Sequence, residues 1–424
     1  TSLTMTSLKT EHIEPLAEGL RSNSTLEILR LQSNVNTKGV QKTATVTLPI
    51  QLINGSLAQP IIDLSMAGVM TRVSCAVVGV LLAENKAVRT LKLSRTGLGS
   101  VVQAEGGHIL FDPLSGGDST LHMLDLSDME LGDNGGRKIF EALITGKCKR
   151  ITSLVLSNNG LADETARVMH QLLQANDVCT LTSLDLSNNS INQQSLARAI
   201  KRNTTLKYLN IRGCGVSEEA LRDIGDFLLE PECACRLSKI RCDSFEVEEG
   251  ATVLDLTMVK LSSAAARLLW GVVKFNTTLE TLILVGCGID ADGAVALEIA
   301  LSKNESLLQC DLSSNKMAST SAGADALMRA AAANTKLTHI TLDGPGSELS
   351  FKEMRTTHNL NLAHKRLRLI SGTVVGAVAG MNRGLVELNL EGNELGPGGA
   401  SAIMIGINQK PVLKVLSLSD CKLA

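Results

Sequence analysis

Residues 181–191 read L-T-S-L-D-L-S-N-N-S-I, and their spacing decides the architecture. Leu181, Leu184 and Leu186 are followed by Asn189 and Ile191, the pattern LxxLxLxx(N/C)xL. The same five slots are filled by Ile151, Leu154, Leu156, Asn159 and Leu161, by Leu279, Leu282, Leu284, Cys287 and Ile289, and by Leu385, Leu388, Leu390, Asn393 and Leu395. About fourteen such lines run from one end of the chain to the other, and repetition at a fixed period is the mark of a solenoid.

Working outward from one line, the L-x-L segment places both leucines on one face of a strand and the residue between them on the other. The rest of each repeat has helical spacing. Ala264, Leu268, Leu269 and Val272 share a face, as do Ala294, Leu297, Ala300 and Leu301. Each unit is therefore strand, loop, helix, turn. Starts at Leu121, Ile151, Leu181 and Leu206 give steps of 25 to 30 residues. Stacked units predict an α/β solenoid, a horseshoe with parallel strands on the concave side and α-helices on the convex side, in one array over 1–424. Small residues such as Ala324, Ala330, Ala331 and Ala332 are expected on the inward helix face.

Composition narrows the function classes. Lys and Arg total 41 against 43 Asp and Glu, so there is no long-range positive field of the kind that draws nucleic acid or an anionic membrane. One Trp, one Tyr and six Phe leave little from which to build base-stacking platforms. Apolar stretches such as residues 73–83 are too short to span a bilayer. The expected partners are one or more proteins in a hetero-complex, with no nucleic acid and no membrane insertion. Ten Cys in 424 residues is far from disulfide-scaffold density, and Cys214, Cys287 and Cys421 fall in the Asn/Cys slot. Reduced thiols point to an intracellular setting, cytoplasmic or cytoskeletal and ciliary. The sequons at Asn23, Asn203, Asn276 and Asn304 recur in the helix-to-strand turn, so their recurrence reads as structural.

With these lines in view, stretches 181–191 and 385–395 resemble the ribonuclease-inhibitor-like class of leucine-rich repeats and the repeat regions of NOD-like receptors. The resemblance covers nearly the whole chain. It implies protein binding, usually through the concave face or its rims, in a class that serves inhibitors, receptors, GTPase activators and structural assemblies.

Irregular segments occur at 36–60, 99–119, 231–250 and 343–357. After three of them the pattern restarts with a similar line, I-I-D-L-S-M-A-G-V at 61–69, V-L-D-L-T-M-V-K-L at 253–261 and N-L-N-L-A-H-K-R-L at 359–367. This block grammar resembles leucine-rich repeat proteins of algae and other protists. Alternation in T-V-T-L-P-I-Q-L (45–52) and I-R-C-D-S-F-E-V (240–247) argues for extra strands or hairpins, where inserted contacts often reside. The Gly-rich stretch 99–119, with Phe111 and Pro113, holds neither GxxxxGK[ST] nor GxGxxG.

A search for chemistry finds no HExxH and no GxSxG, and no cofactor motif, so the expectation is a non-enzyme without cofactor, metal or catalytic residue. Cys233, Cys235 and Cys242 cluster, but no fourth ligand follows to complete a zinc site. The rival reading is a regulatory module, either a NOD-like receptor repeat domain or a Ran-type GTPase activator with Arg95 as a conceivable loop residue. For partner binding the strand positions facing solvent supply the candidates: Arg30, Lys92, Asp125, Asp185, Tyr208, Arg212, Asp311, Glu387 and Glu391. Thr90, Asp255, His339 and Asp343 belong to the same stripe. Tyr208 with Arg212 pairs the residue types enriched at binding hot spots. Both ends lack a polar capping unit, an expectation that favours a component of a larger cytoskeletal, ciliary or organellar assembly.

Overall fold

The computed structural model describes residues 1–37, 40–83, 85–108, 120–145, 150–408 and 412–423, so Phe111 and Pro113 lie outside the described residues. The chain forms two compact units, Thr1–Val216 and Ser217–Ala424.

Unit one opens with β1 (Ser2–Thr6) and β2 (Ile28–Thr37) in parallel, and β2 then pairs antiparallel with β3 (Val40–Pro49). A parallel ladder follows in chain order: β4 (Ile61–Asp63), β5 (Thr90–Lys92), β6 (Met123–Asp125), β7 (Ser153–Val155), β8 (Ser183–Asp185) and β9 (Tyr208–Asn210). The helices between are α1 (Ile13–Arg21), α2 (Ile50–Ile53), α3 (Arg72–Leu82), α4 (Gly99–Glu105), α5 (Gly132–Ile144), α6 (Asp163–Gln174) and α7 (Gln193–Arg202).

The register follows from the leucines. Ile62, Leu91, Leu124, Leu154, Leu184 and Leu209 stand opposite one another at the strand centres, each no more than 1% exposed. Burying each such side chain is worth roughly 1.5–3 kcal/mol. At the strand exit the chain turns sharply, with Asn158 and Asn188 at φ 53° and 55°, a region Asn tolerates better than most residues.

Unit two contains α8 (Glu218–Leu229) and the antiparallel pair β10 (Lys239–Arg241) and β11 (Glu246–Val247). A new parallel ladder runs through β12 (Val253–Asp255), β13 (Thr281–Ile283), β14 (Gln309–Asp311) and β15 (His339–Thr341). Antiparallel β16 (Leu349–Ser350) closes it. The last ladder is β17 (Asn359–Asn361), β18 (Glu387–Asn389) and β19 (Val415–Ser417). Helices α9 (Ser263–Val273), α10 (Ala291–Leu301), α11 (Ser321–Ala333), α12 (Phe351–Thr356), α13 (Leu369–Met381) and α14 (Gly396–Ile407) alternate with these strands.

Strand and helix alternate in parallel ladders, which is the α/β leucine-rich repeat class. Ala264, Leu268, Leu269, Val272, Ala294, Leu297, Ala300 and Leu301 are all buried, so the helical periodicity picks out the core face. Of the four alanines expected inward, Ala330 and Ala331 are buried, whereas Ala324 and Ala332 are half-buried. Each of the three breaks supplies at least one strand of an antiparallel pair: β3 against β2, β10 with β11, and β16 against β15.

Candidate functional site

The solvent side of the unit-one ladder carries two rows. Ile61, Thr90, Met123, Ser153, Ser183 and Tyr208 form one, and Asp63, Lys92, Asp125, Val155, Asp185 and Asn210 the other. The aspartates are partly committed to their own turns. Asp125 Oδ1 accepts the Ser127 amide at 2.9 Å and its hydroxyl at 2.7 Å, and Asp185 Oδ1 does the same with Ser187 at 2.9 and 2.6 Å. The second oxygen of Asp185 accepts from Asn210 Nδ2 at 2.8 Å. Asp63 repeats the motif, and the Ser65 hydroxyl and amide, helped by Lys92, hold its carboxyl below the usual range. These carboxylates bend the strand into the loop as well as face solvent.

Lys92, Asp125, Asp185 and Tyr208 thus share one ladder of unit one, and Arg212 lies in the turn after its last strand. Tyr208 is half-buried and Arg212 exposed. Arg30 sits apart, in the three-stranded sheet, between Thr4 and Thr47. Glu387 and Glu391 belong to the last ladder, exposed and half-buried respectively. Arg95 lies on a loop and pairs with Asp128 at 3.3 Å.

In unit two the break at 343–357 adds depth to this flat geometry. Gly344 and Gly346 adopt φ of 123° and 88°, and the Ser347 hydroxyl donates to Gly344 O at 2.7 Å. The chain then returns as β16, with Ile340 opposite Leu349. Pro345, Gly346 and Glu348 are thereby brought to the solvent side of β13–β15, bounding a cavity of about 340 Å³ with Thr281, Gln309, Asp311, His339 and Thr341.

Two carboxylates line this cavity. Asp311 Oδ1 accepts the Ser313 amide at 2.9 Å, and among the described residues neither Asp311 nor Glu348 is ion-paired. His339 Nδ1 lies 3.0 Å from Thr338 Oγ1. Carboxylates, the Gln309 amide and threonine hydroxyls beside Ile283 suit a cationic side chain with an aliphatic stem. Sequence reasoning named Asp311 and placed His339 in the stripe, but missed Glu348, Gln309 and Thr341. The break following His339 was the available signal.

The cysteine cluster offers no ligand set. Cys233, Cys235 and Cys242 are buried and form no disulfide, with Cys233 Sγ donating to Cys235 O and Cys242 Sγ to Phe245 O. Burial pushes the Cys235 thiol up to about 12. Among the described residues there is no group of three or more potential metal ligands, and no helix long and apolar enough to cross a membrane.

The family described as Leucine Rich repeat matches residues 179–194, 202–225, 275–297 and 382–404. Human NACHT, LRR and PYD domains-containing protein 5 is 26% identical over 283 residues, covering 54% of this chain and 23% of that protein. Pig ribonuclease inhibitor is 24% identical over 317 residues, 72% of this chain and 59% of the relative. The chain therefore spans less than two thirds of either relative. Among solved structures, the yeast Rad7 and Elc1 complex aligns over 96% of this chain and 88% of that one, at 13% identity and TM-score 0.30. The TLR13–ssRNA13 complex aligns over 85% and 51%, at 16% identity and TM-score 0.35. By its repeat pattern and in-register parallel strands the chain is built of leucine-rich repeats, and it is similar to ribonuclease inhibitor and to NACHT, LRR and PYD domains-containing protein 5.

Proposed function

We propose that the chain is a non-enzymatic protein–protein interaction scaffold and a subunit of a larger cytoskeletal, ciliary or organellar assembly. Leucine-rich repeat domains typically mediate protein–protein interaction. The observation that carries the proposal is the cavity under residues 345–348, where two carboxylates that form no ion pair among the described residues face solvent on the strand side of unit two. Charge complementarity of this kind selects partners and speeds encounter. The same reading makes Arg30, Lys92, Asp125, Asp185, Tyr208, Arg212, Asp311, Glu387 and Glu391 partner-contacting residues, and treats 1–424 as one repeat array. Nine buried cysteines that form no disulfide support an intracellular location.

Crosslinking followed by mass spectrometry on the complex isolated from the native source tests it. The expected result is a stoichiometric protein partner crosslinked to strand-side residues. Recovery of the chain as a monomer that binds a soluble signalling ligand would instead support the receptor-like alternative.

A further inference from the structure

On the helix side of unit two a second concavity opens, a groove of about 660 Å³ at the ends of four successive helices. Pro231 follows α8, Lys274 ends α9, Ile299 and Lys303 come from the end of α10, and Arg329, Ala332 and Ala333 from the end of α11. Its walls are Pro231, Ile299 and the two alanines, whose short side chains leave the volume open. That size suits a small molecule rather than a water or an ion.

Charge around the groove is lopsided. Arg329 is neutralised by a two-point pair with Glu298, at 2.7 and 2.8 Å. Lys274 is only 6% exposed, and its ammonium donates to Leu228 O at 2.8 Å and Glu230 O at 2.7 Å, carbonyls at the open end of α8. Among the described residues no carboxylate forms an ion pair with Lys274 or Lys303. Arg236 adds a further cation, lying with Lys274 against the Phe275 ring at 4.8 and 4.9 Å. Burial first, with Arg236 and Lys303 adding like charge against the opposing pull of Cys233 and Glu230, holds the Lys274 ammonium below its usual value. A buried cation crowded by others is stabilised by an anion brought from outside.

We propose that this groove binds a small amphipathic carboxylate of the fatty-acid type. Its chain lies against Ile299, Ala332 and Ala333, and its head is held at Lys274 and Lys303. Among the described residues no aromatic side chain lines the groove to stack a nucleobase. The site is separate from the strand-side cavity and stands whether or not that face binds protein.

The test uses the whole chain and 11-(dansylamino)undecanoate below its micelle concentration, read by fluorescence and competed with oleate. Expected are saturable binding of one probe per chain, displacement by oleate, and at least tenfold weaker displacement by methyl oleate. Lys303→Glu, at an exposed position, should weaken probe binding at least tenfold, and Ala332→Trp should remove it by filling the groove. Asp311→Asn, on the strand side, should leave it unchanged. Absent or non-saturable binding, equal displacement by methyl oleate, or binding indifferent to Lys303→Glu in a variant of native circular dichroism overturns the proposal. So does an acidic amphipathic peptide that binds more tightly than oleate with the same variant sensitivity, which would make the groove a protein-docking site.

Discussion

Asn189 reaches back one repeat to Asn159, whose backbone N–H donates to its Oδ1 at 3.0 Å. The same oxygen accepts Leu161 N–H at 3.0 Å, while Nδ2 donates to Leu156 O, Leu186 O and Ser187 O at 2.9, 2.8 and 3.2 Å. One buried amide thus satisfies five backbone groups in two repeats. Leu156 O, Leu186 O and Ser187 O keep other donors, so replacing Asn189 by Leu leaves the Asn159 and Leu161 N–H groups buried without partners, at about 1–3 kcal/mol for each group stranded. A loss of roughly 3 kcal/mol in urea unfolding is expected. Cysteine fills the same slot at Cys214, where its thiol donates to Leu186 O at 3.1 Å, so Asn189→Cys should cost less than Asn189→Leu. Equal costs would contradict this account of the slot.

Helix α6 takes its cap from the repeat before it. Asp133 accepts the amides of Ala162, Glu164 and Thr165 at 3.0, 3.0 and 2.8 Å, standing in for the side chain that Ala162 lacks. Burial raises its carboxyl pKa, but the bonds from Thr165, Glu164 and Ala162 outweigh this and the net shift is downward. A folded-state pKa below the unfolded one gives stability that is complete at neutral pH and lost as pH falls from about 4 through the folded value. Asp133→Ala should therefore cost about 1–2 kcal/mol at pH 7. The gap between variant and parent should narrow on acidification below pH ~4. A gap that widens there would show that the cap acts otherwise.

Glycines set how closely α13 and α14 approach. A Cβ on Gly376 would stand 2.5 Å from Ala402 O, and one on Gly406 would stand 2.0 Å from Gly376 O. Helix propensity alone favours Gly376→Ala by about 1 kcal/mol. The clash involves backbone and has no soft way out, so overpacking of roughly 1–3 kcal/mol should win. Thermal unfolding of Gly376→Ala should show a lower Tm, and a raised one would refute the close packing.

The thiols should be inert while the chain is folded. Cys75 and Cys235 are each pushed up to about 12, chiefly by burial, and burial also raises Cys310. Thiolate is the reactive form, so these groups are both inaccessible and protonated at neutral pH. Mass spectrometry after native labelling with a thiol reagent should find the nine buried cysteines unmodified, and urea should expose them together. Rapid native labelling of Cys233 or Cys235 would disagree with the structure.

The repeat itself was readable because its signals are local. Leu181, Leu184, Leu186, Asn189 and Ile191 are each under 5% exposed, as period-two and slot arguments require. The turn asparagines read equally well: Asn203, Asn276 and Asn304 are buried, each accepting the N–H two and three residues ahead. The strand-side cavity was legible only in part. Asp311 and His339 fall at strand positions, but Glu348 reaches them through two glycine turns and an antiparallel return, a path no periodicity encodes. Ala332 was placed inward by its type, yet it lines an open groove, because one alanine looks like another until the neighbouring helix ends are positioned. The Asp133 cap was hidden for a similar reason: donor and acceptor lie about one full repeat apart.

The strand side of unit two is proposed above as a protein-binding face. Quantitative capture of partners from the native source, comparing the parent chain with the double variant Asp311→Asn, Glu348→Gln, tests it most directly. A stoichiometric partner should be held by the parent and at least tenfold depleted with the double variant, whose fold is unchanged by circular dichroism. Partner capture that is undiminished by the double variant would contradict it.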